Sequence, residues 1–457
     1  MNHVIGPEAW GLHAFPGGEL AIGNHGLTGL AEEYGTPLHV IHENLLMKNA
    51  GAFRKAVLRS YPGRSSVFYA MKCNSVPAVV DAVLREGTGL EVMTEYELLL
   101  ALHLGCPGSN IIVNGPCKTP AFLDRCIDAG VRFVIVDSIP EMHTLNARSL
   151  SRGARTEVLF RVNPDYTPQG MNRGTATGSR RGCAFGLDLR GGEVESAMDE
   201  LARLPGIRFT GFHLHIGTGV RNPADYARAL RCLDTLKKCA AGGGRRVQVI
   251  DVGGGFAAPL TREFGTKEFL LYQALGILPG PPGENACPAP EVFASAIAEA
   301  VGRSFTADEL PELICEPGRC IASPAQFLLL TVHYVKDRPG AGRWLIADGG
   351  LSTVTLPTFY EYHEIFLCND VTRPRTVRST ITGPACFAGD VIYRNKLMPD
   401  VLPGDVLALM DTGAYFTAME SSFGFARPAI AAVNGASCRL VRARETFDDM
   451  VARDVID

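Results

Sequence analysis

The 457-residue chain lacks any apolar run long enough to cross a membrane. Its strongest stretch, around Phe327 to Val335, is interrupted by His, Lys or Pro well short of the roughly 18 residues that a span requires. It also lacks blocks of like charge. The 44 basic and 48 acidic residues are interspersed and leave a net charge of −4, so the footprint of a nucleic-acid or anionic-membrane binder is missing. A paired-cysteine framework is absent too: the 13 cysteines are odd in number and scattered, which predicts free thiols in a reducing cytoplasm. Met1 is followed by polar residues and Trp10 rather than by a basic segment and an apolar run, so no secretory leader is expected. No sequence repeat is visible beyond an alternation of strand-like and helix-like segments. With 46% hydrophobic and 20% charged residues, one large or two medium folded domains are expected rather than disorder.

What the chain has in excess is glycine, 50 residues, many of them just after short β-branched runs. Eight such runs can be counted: 67–72, 89–94, 111–115, 133–137, 158–162, 209–216, 247–252 and 313–318. Most are separated by helical spacings, such as Val76, Val79, Val80, Val83 and Leu84, or Tyr96, Leu99, Leu100 and Leu102, long enough to cross back over a parallel sheet. The fold class predicted is α/β, a closed (β/α)8 TIM-like barrel. After about Ala322 the pattern changes to short strands separated by Gly, Pro and Asp, which predicts a second, mostly β domain of sandwich or barrel type. The expected division is residues 1–37 joining the β domain, 38–325 forming the barrel, and 326–457 forming the C-terminal β domain.

A barrel of this kind builds its site at the C-terminal ends of its strands. Those ends read Lys72, Glu91, Asn114, Asp137, Arg161, His215, Gly253 to Gly255, and Glu316 with Arg319. A strand-end lysine ordinarily reaches out to solvent, but Lys72 leaves an apolar strand and in a pocket becomes a neutral nucleophile. Gly253, Gly254 and Gly255 directly follow a strand and offer backbone N–H groups to an anion, whereas Gly242 to Gly244 precede the same strand and read as a turn. Arg319 suits a phosphate, and Glu316 suits a ring nitrogen that it keeps protonated; an ion pair at the strand end is the plainer reading. His213 and His215 face the same side of one strand. A metal would need further ligands, and no second histidine cluster occurs on the remaining strands, so no metal is expected; an imidazole over an aromatic cofactor is the better use of His215. Cys386 is a candidate proton donor and Tyr415 a candidate phenol, each ordinary when taken alone.

Together these are the needs of pyridoxal 5′-phosphate, and the chain resembles the fold-type III pyridoxal-phosphate-dependent decarboxylases of the ornithine/diaminopimelate type over nearly its full length. YAMKCN resembles the motif of the cofactor-carrying lysine, here Lys72. HLHIGTG resembles the strand with the stacking histidine, His215, followed by Thr218 at the phosphate. DVGGGF matches the phosphate loop at Gly253, Gly254 and Gly255. EPGR supplies Glu316 for the pyridine nitrogen, with Gly318 and Arg319 at the phosphate, and Glu91 and Arg161 fall among the cofactor contacts. GPACFAGD resembles the segment of the catalytic cysteine, Cys386, and GAY places Tyr415 at the family's phosphate-contacting tyrosine. The resemblance implies α-decarboxylation of an L-amino acid to its amine and CO2, and a head-to-tail homodimer in which Cys386 completes the partner's site.

The departures concern substrate choice. Phe387 stands where an acid usually follows the catalytic cysteine; Glu361, next to Tyr360, is the nearby acid able to compensate. Tyr360, Glu361, Phe387 and Tyr415 are therefore the substrate-side candidates. Leu356 and Pro357 replace the arginine expected of diaminopimelate enzymes, which turns the expectation toward a diamino-acid-like substrate or its conjugate. Ala184 replaces a lysine that pairs with the acid equivalent to Asp390 in the other subunit, with Arg180 or Arg181 as substitutes at the interface. The rivals are a barrel racemase, a non-catalytic regulatory homologue and a metal-dependent hydrolase.

Overall fold

The computed structural model describes residues 5–169, 179–283, 286–354 and 360–455. The chain divides into two compact units, one of Asn49–Ala257 with Cys287–Cys320, the other of Met1–Lys48 with Ala258–Ala286 and Ile321–Asp457.

The first unit is a closed parallel barrel. Its strands are β1 (Ser65–Ala70), β2 (Gly89–Val92), β3 (Ile111–Val113), β4 (Phe133–Val136), β5 (Thr156–Asn163), β6 (Ile207–Leu214), β7 (Val249–Asp251) and β8 (Glu312–Cys315). Each pairs with the next and β8 returns to β1, with Cys315 beside Val67. All eight expected runs are barrel strands, displaced by a few residues at their ends. A parallel strand covered by helices on one side and barrel interior on the other is apolar on both faces, and β2, β3, β4 and β7 are buried at every position. Phe68, Ile112, Ile135, Leu159, Val249 and Ile314 pack together as one core cluster of the barrel.

Crossover helices start where the sequence supplies caps. Thr94, Thr119 and Ser138 accept hydrogen bonds from the N–H groups of Glu97, Phe122 and Glu141. Helix Pro77–Arg85 buries the expected stripe through Val79, Val80 and Val83. Helix Glu95–His103 corrects the expected face: Tyr96 and Leu99 are 64% and 45% exposed, while Leu98 and Ala101 are buried. The run LLLAL leaves the helical phase open. It is set by Glu97, whose carboxylate accepts the Met93 N–H at 2.7 Å.

In the second unit, strand Leu38–His42 runs parallel to Ala429–Asn434 and antiparallel to Gln326–Arg338. The division thus falls at Lys48/Asn49, a strand later than the 37/38 boundary read from the sequence. A short apolar strand looks the same in a barrel or in a sandwich. Part of the long 256–310 connection belongs here as well: Arg262–Glu263 pairs with Glu361–Tyr362, and Phe264 and Tyr272 enter the core. The 13-residue strand Gln326–Arg338 organises the unit. Side-chain alternation sends Phe327 and Leu329 to a cluster with Trp10, Leu20 and Phe366, and Leu328, Leu330 and Val332 to one with Ile381, Tyr393 and Phe416. That division between two cores explains why Phe327 to Leu330 are apolar at every position rather than alternating with polar residues. No helix among the described residues is long and apolar enough to cross a membrane, and all 13 cysteines are free.

Gly211 sits at an irregularity of β6, where a Cβ would lie 1.9 Å from the Val249 carbonyl oxygen of the neighbouring strand. Gly211→Ala is expected to destabilise the protein by about 2 kcal/mol or more through backbone displacement, read as a lower midpoint in urea unfolding. An unchanged midpoint would mean that β6 and β7 separate without cost.

Candidate active site

Register decides which strand-end side chains meet. Across β5, β6 and β7, Arg161 lies beside His213 and His213 beside Asp251. Asp251 pairs with Ile314, two residues before Glu316 and therefore on the same face. Glu91 pairs with Ala70, just ahead of the turn Met71–Cys73 that carries Lys72. The Lys72 ammonium donates to the buried Glu91 carboxylate. Asn114, at the end of β3, places its Nδ2 3.2 Å from His213 Nε2 and its Oδ1 3.4 Å from Arg161 Nη1. Arg161 also faces Asp137 at 3.6 Å, with its guanidinium carbon 4.4 Å from the centre of the Phe185 ring.

Burial governs the protonation of these groups. It raises the carboxyls of Glu91, Asp251 and Glu316 above their ordinary values, Asp251 strongly, with neighbouring carboxylates adding to the effect at Asp251 and Lys72 opposing it at Glu91 and Glu316. His213 and His215 are held well below the ordinary imidazole value by burial, reinforced by the Arg161 charge, so both rings are neutral at physiological pH. Among the described residues, Glu316 Oε1, Asp251 Oδ2 and Glu91 Oε1 are buried without a hydrogen-bond partner. His213, Asp251 and Glu316 bring possible ligand atoms within 4.8 Å of one another. With His213 Nε2 facing the Asn114 amide and both acids drawn toward protonation, that trio suits proton sharing better than a cation.

The glycine loop needs its glycines for close packing. Gly253 and Gly255 have φ of +65° and +96°, and a Cβ at Gly254 or Gly255 would stand 2.3 or 2.2 Å from the carbonyl oxygens of Glu316 or Gly217. The expected cradle of three free N–H groups is corrected. Gly253 N–H is bound by Asp251 Oδ1 at 2.8 Å and Gly254 N–H by His215 Nδ1 at 3.3 Å, leaving Gly255 N–H without a partner among the described residues. Thr218 lies half-buried beyond His215. Gly318 admits no Cβ without crowding Cys73, and buried Arg319 opens the helix Arg319–Ala322.

The remaining candidates belong to the other unit. Glu361 is buried, 3.4 Å from His363 Nε2, and the Tyr360 carbonyl accepts the Phe264 N–H. Cys386 is exposed and Phe387 is 53% exposed, its ring edge-on to Phe423 at 6.4 Å. Tyr415 has a left-handed backbone (φ +67°) at the head of helix Phe416–Met419. Leu356 and Pro357 lie outside the described residues. Arg181 is committed to Asp188 of its own chain at 2.8 Å.

Residues 50–323 match the family of pyridoxal-dependent decarboxylases through its pyridoxal-binding domain. The chain belongs to this family. It is 28% identical over 432 residues to the diaminopimelate decarboxylase of Methanocaldococcus jannaschii, covering 93% of each chain. It is 33% identical over 445 residues to that of Actinosynnema pretiosum, covering 96% of this chain and 93% of the relative. A crystal structure of the M. jannaschii diaminopimelate decarboxylase superposes with a TM-score of 0.86 at 27% identity over 98% of each chain. The protein is accordingly a pyridoxal-phosphate-dependent amino-acid decarboxylase, and its barrel fits that cofactor: Glu316 Oε1 is an unpartnered buried acceptor for a ring N–H, His215 is neutral, and a glycine loop that tolerates no Cβ retains a free N–H.

Asp251 escaped the sequence reading. Its signal was an acid inside the apolar run VQVIDV, immediately ahead of the glycines. For the decarboxylase, Gly254→Ala is expected to weaken pyridoxal phosphate binding by about tenfold or more, because the loop must move. Gly242→Ala, where a Cβ meets nothing within 4 Å, should leave it unchanged. Fluorescence titration of apoprotein compares the two, and equal affinities would remove the loop from cofactor binding.

Proposed function

We propose that the decarboxylase acts on a diamino-acid-like substrate or its conjugate, with Lys72 and Cys386 as catalytic residues. The observation that carries the reading is the Lys72 amine held against buried Glu91 in the same strand-end cluster as Glu316, with its unpartnered oxygen. Bound pyridoxal phosphate supplies an electron sink for the pair left on Cα when the carboxylate departs as CO2. Lys72 offers its amine for cofactor attachment, with Glu91 as the adjacent carboxylate for its proton. Glu316 would hold the ring N–H, neutral His215 would pack against the ring, and Arg319, Thr218 and the Gly255 N–H would bind the phosphate, with Tyr415 as a further contact. Arg161 balances the acids around it. Cys386 delivers a proton to Cα from its thiol. Its exposure in the single chain favours a head-to-tail homodimer in which each Cys386 completes the partner's site, and a reducing cytoplasm suits the free thiols.

The relatives named as diaminopimelate decarboxylases make diaminopimelate the reference substrate. Phe387 favours a distal group that is not a bare ammonium, since an aromatic ring offers no carboxylate partner. Lys72→Ala is expected to leave no borohydride-fixed cofactor. Cys386→Ala should keep the cofactor absorbance while amine formation falls by about 100-fold or more. Mixing the two inactive variants should restore about a quarter of wild-type CO2 release if sites are shared. CO2 release from diaminopimelate, ornithine, lysine, diaminobutyrate and acylated or citryl diamino acids identifies the substrate. Racemisation of a substrate without CO2 would overturn the decarboxylase roles, and normal decarboxylation by Cys386→Ala would remove the thiol from the reaction.

A further inference from the structure

Two buried carboxyl groups meet at the strand ends of the barrel. Asp251 and Glu316 are 0% and 1% exposed, and their ligand atoms come within 4.8 Å of each other. Their spacing is fixed by backbone bonds between the β7 and β8 ends: Val252 N–H to Ile314 O at 3.0 Å and Glu316 N–H to Gly253 O at 2.9 Å. Asp251 Oδ1 accepts the Gly253 N–H, so if Asp251 were ionised, its other oxygen would be a buried anionic atom with nothing to bind. Two adjacent buried carboxylates cannot both stay charged at low dielectric, and one must keep a proton. The proton belongs on Asp251. Glu316 is the member that feels the Lys72 and Arg161 charges, both of which favour its anion.

We infer that Asp251 is a positioning residue: its protonated carboxyl donates from Oδ2 to Glu316 and accepts the Gly253 N–H at Oδ1, so one side chain orients both the anion that receives the ring N–H and the glycine loop. The inference rests on Glu316 as the partner of the ring nitrogen. It makes Asp251 a neutral hydrogen-bonding group that Asn can imitate, with the amide NH2 replacing the O–H and the amide oxygen still facing Gly253. It also gives the site a pH limit. Loss of the Asp251 proton would set two buried anions side by side and loosen the cofactor.

The test compares holoenzyme with Asp251→Asn, Asp251→Leu and Glu316→Gln. Infrared spectra of the wild type should contain a protonated carboxylic acid C=O band that shifts in deuterated water and is missing in Asp251→Asn. Cofactor retention should stay within about threefold of wild type in Asp251→Asn, lose its decline at alkaline pH, and fall by more than about tenfold in Asp251→Leu. The inference is overturned if Asp251→Asn loses the cofactor as Asp251→Leu does, if no acid band disappears in the Asn variant, or if the wild type carries one equivalent of a divalent metal that Asp251→Asn lacks. Glu316→Gln separates this from the underlying reading. Wild-type cofactor affinity and activity in that variant would remove Glu316 from the ring nitrogen, whereas the band missing from Asp251→Asn reports the shared proton by itself.

Discussion

Charge held out of water at one end of a closed barrel is the constraint on which the site depends. Glu91, Asp137, Asp251 and Glu316 are all nearly or fully buried, and Lys72 and Arg161 stand among them. In such a space each unpaired charge costs several kcal/mol, so the groups are stable only as a network in which proton positions are chosen collectively. Arg161 is shared between Asn114 and Asp137, Lys72 holds Glu91, and the two histidines stay neutral. Among the buried atoms left without a hydrogen-bond partner is Glu316 Oε1, the acceptor proposed for a protonated pyridine. The fold's contribution is register. Had β6 slipped by one residue against its neighbours, His213 would leave the row of Arg161 and Asp251, and the network would dissolve.

Much of this was legible in the sequence because the barrel repeats one pattern. Apolar strands ending in a polar residue identify both the eight strands and the strand-end row from Lys72 to Glu316. The errors have specific physical causes. Leu38–His42 carries the same apolar pattern whether it joins a barrel or pairs with Ala429–Asn434, so the unit boundary was placed a strand early. In LLLAL the helix has no polar position to fix its phase, and a single Glu97 hydrogen bond to Met93 decides it. The glycine loop was read as three anion-binding N–H groups, but side-chain acceptors at Asp251 and His215 claim two of them. Such claims are tertiary and have no counterpart in local sequence.

The segment GPACFAGD shows a different use of an acid. Both Asp390 oxygens accept backbone N–H groups of their own unit, from Leu351 at 2.6 Å and Ala385 at 2.7 Å, and a Cβ at Gly350 or Gly383 would strike that carboxylate. Asp390 is therefore the anchor that closes the turn presenting Cys386. With Ala184 in place of a lysine, the carboxylate has no need of a cation from elsewhere, since two N–H donors and its burial are already matched. The thiol beside this anchored turn is exposed, and the neighbouring aromatic pair Phe387 and Phe423 keeps large apolar faces in solvent.

In the substrate-side role proposed for Phe387, that pair would bear on the distal end of the substrate. A free ammonium taken out of water needs a carboxylate, and truncating that partner to an aromatic ring forfeits a charge-assisted bond. Glu361 is the acid expected to compensate, yet it is 1% exposed and directed at His363 Nε2. Recruiting it would mean turning a fully buried carboxylate out of its packed position. An acylated or otherwise neutralised distal nitrogen makes no such demand, and its added apolar surface gains from an exposed aromatic ring. If Phe387 takes the substrate-side role proposed for it, a conjugate would be favoured over a bare diamine end.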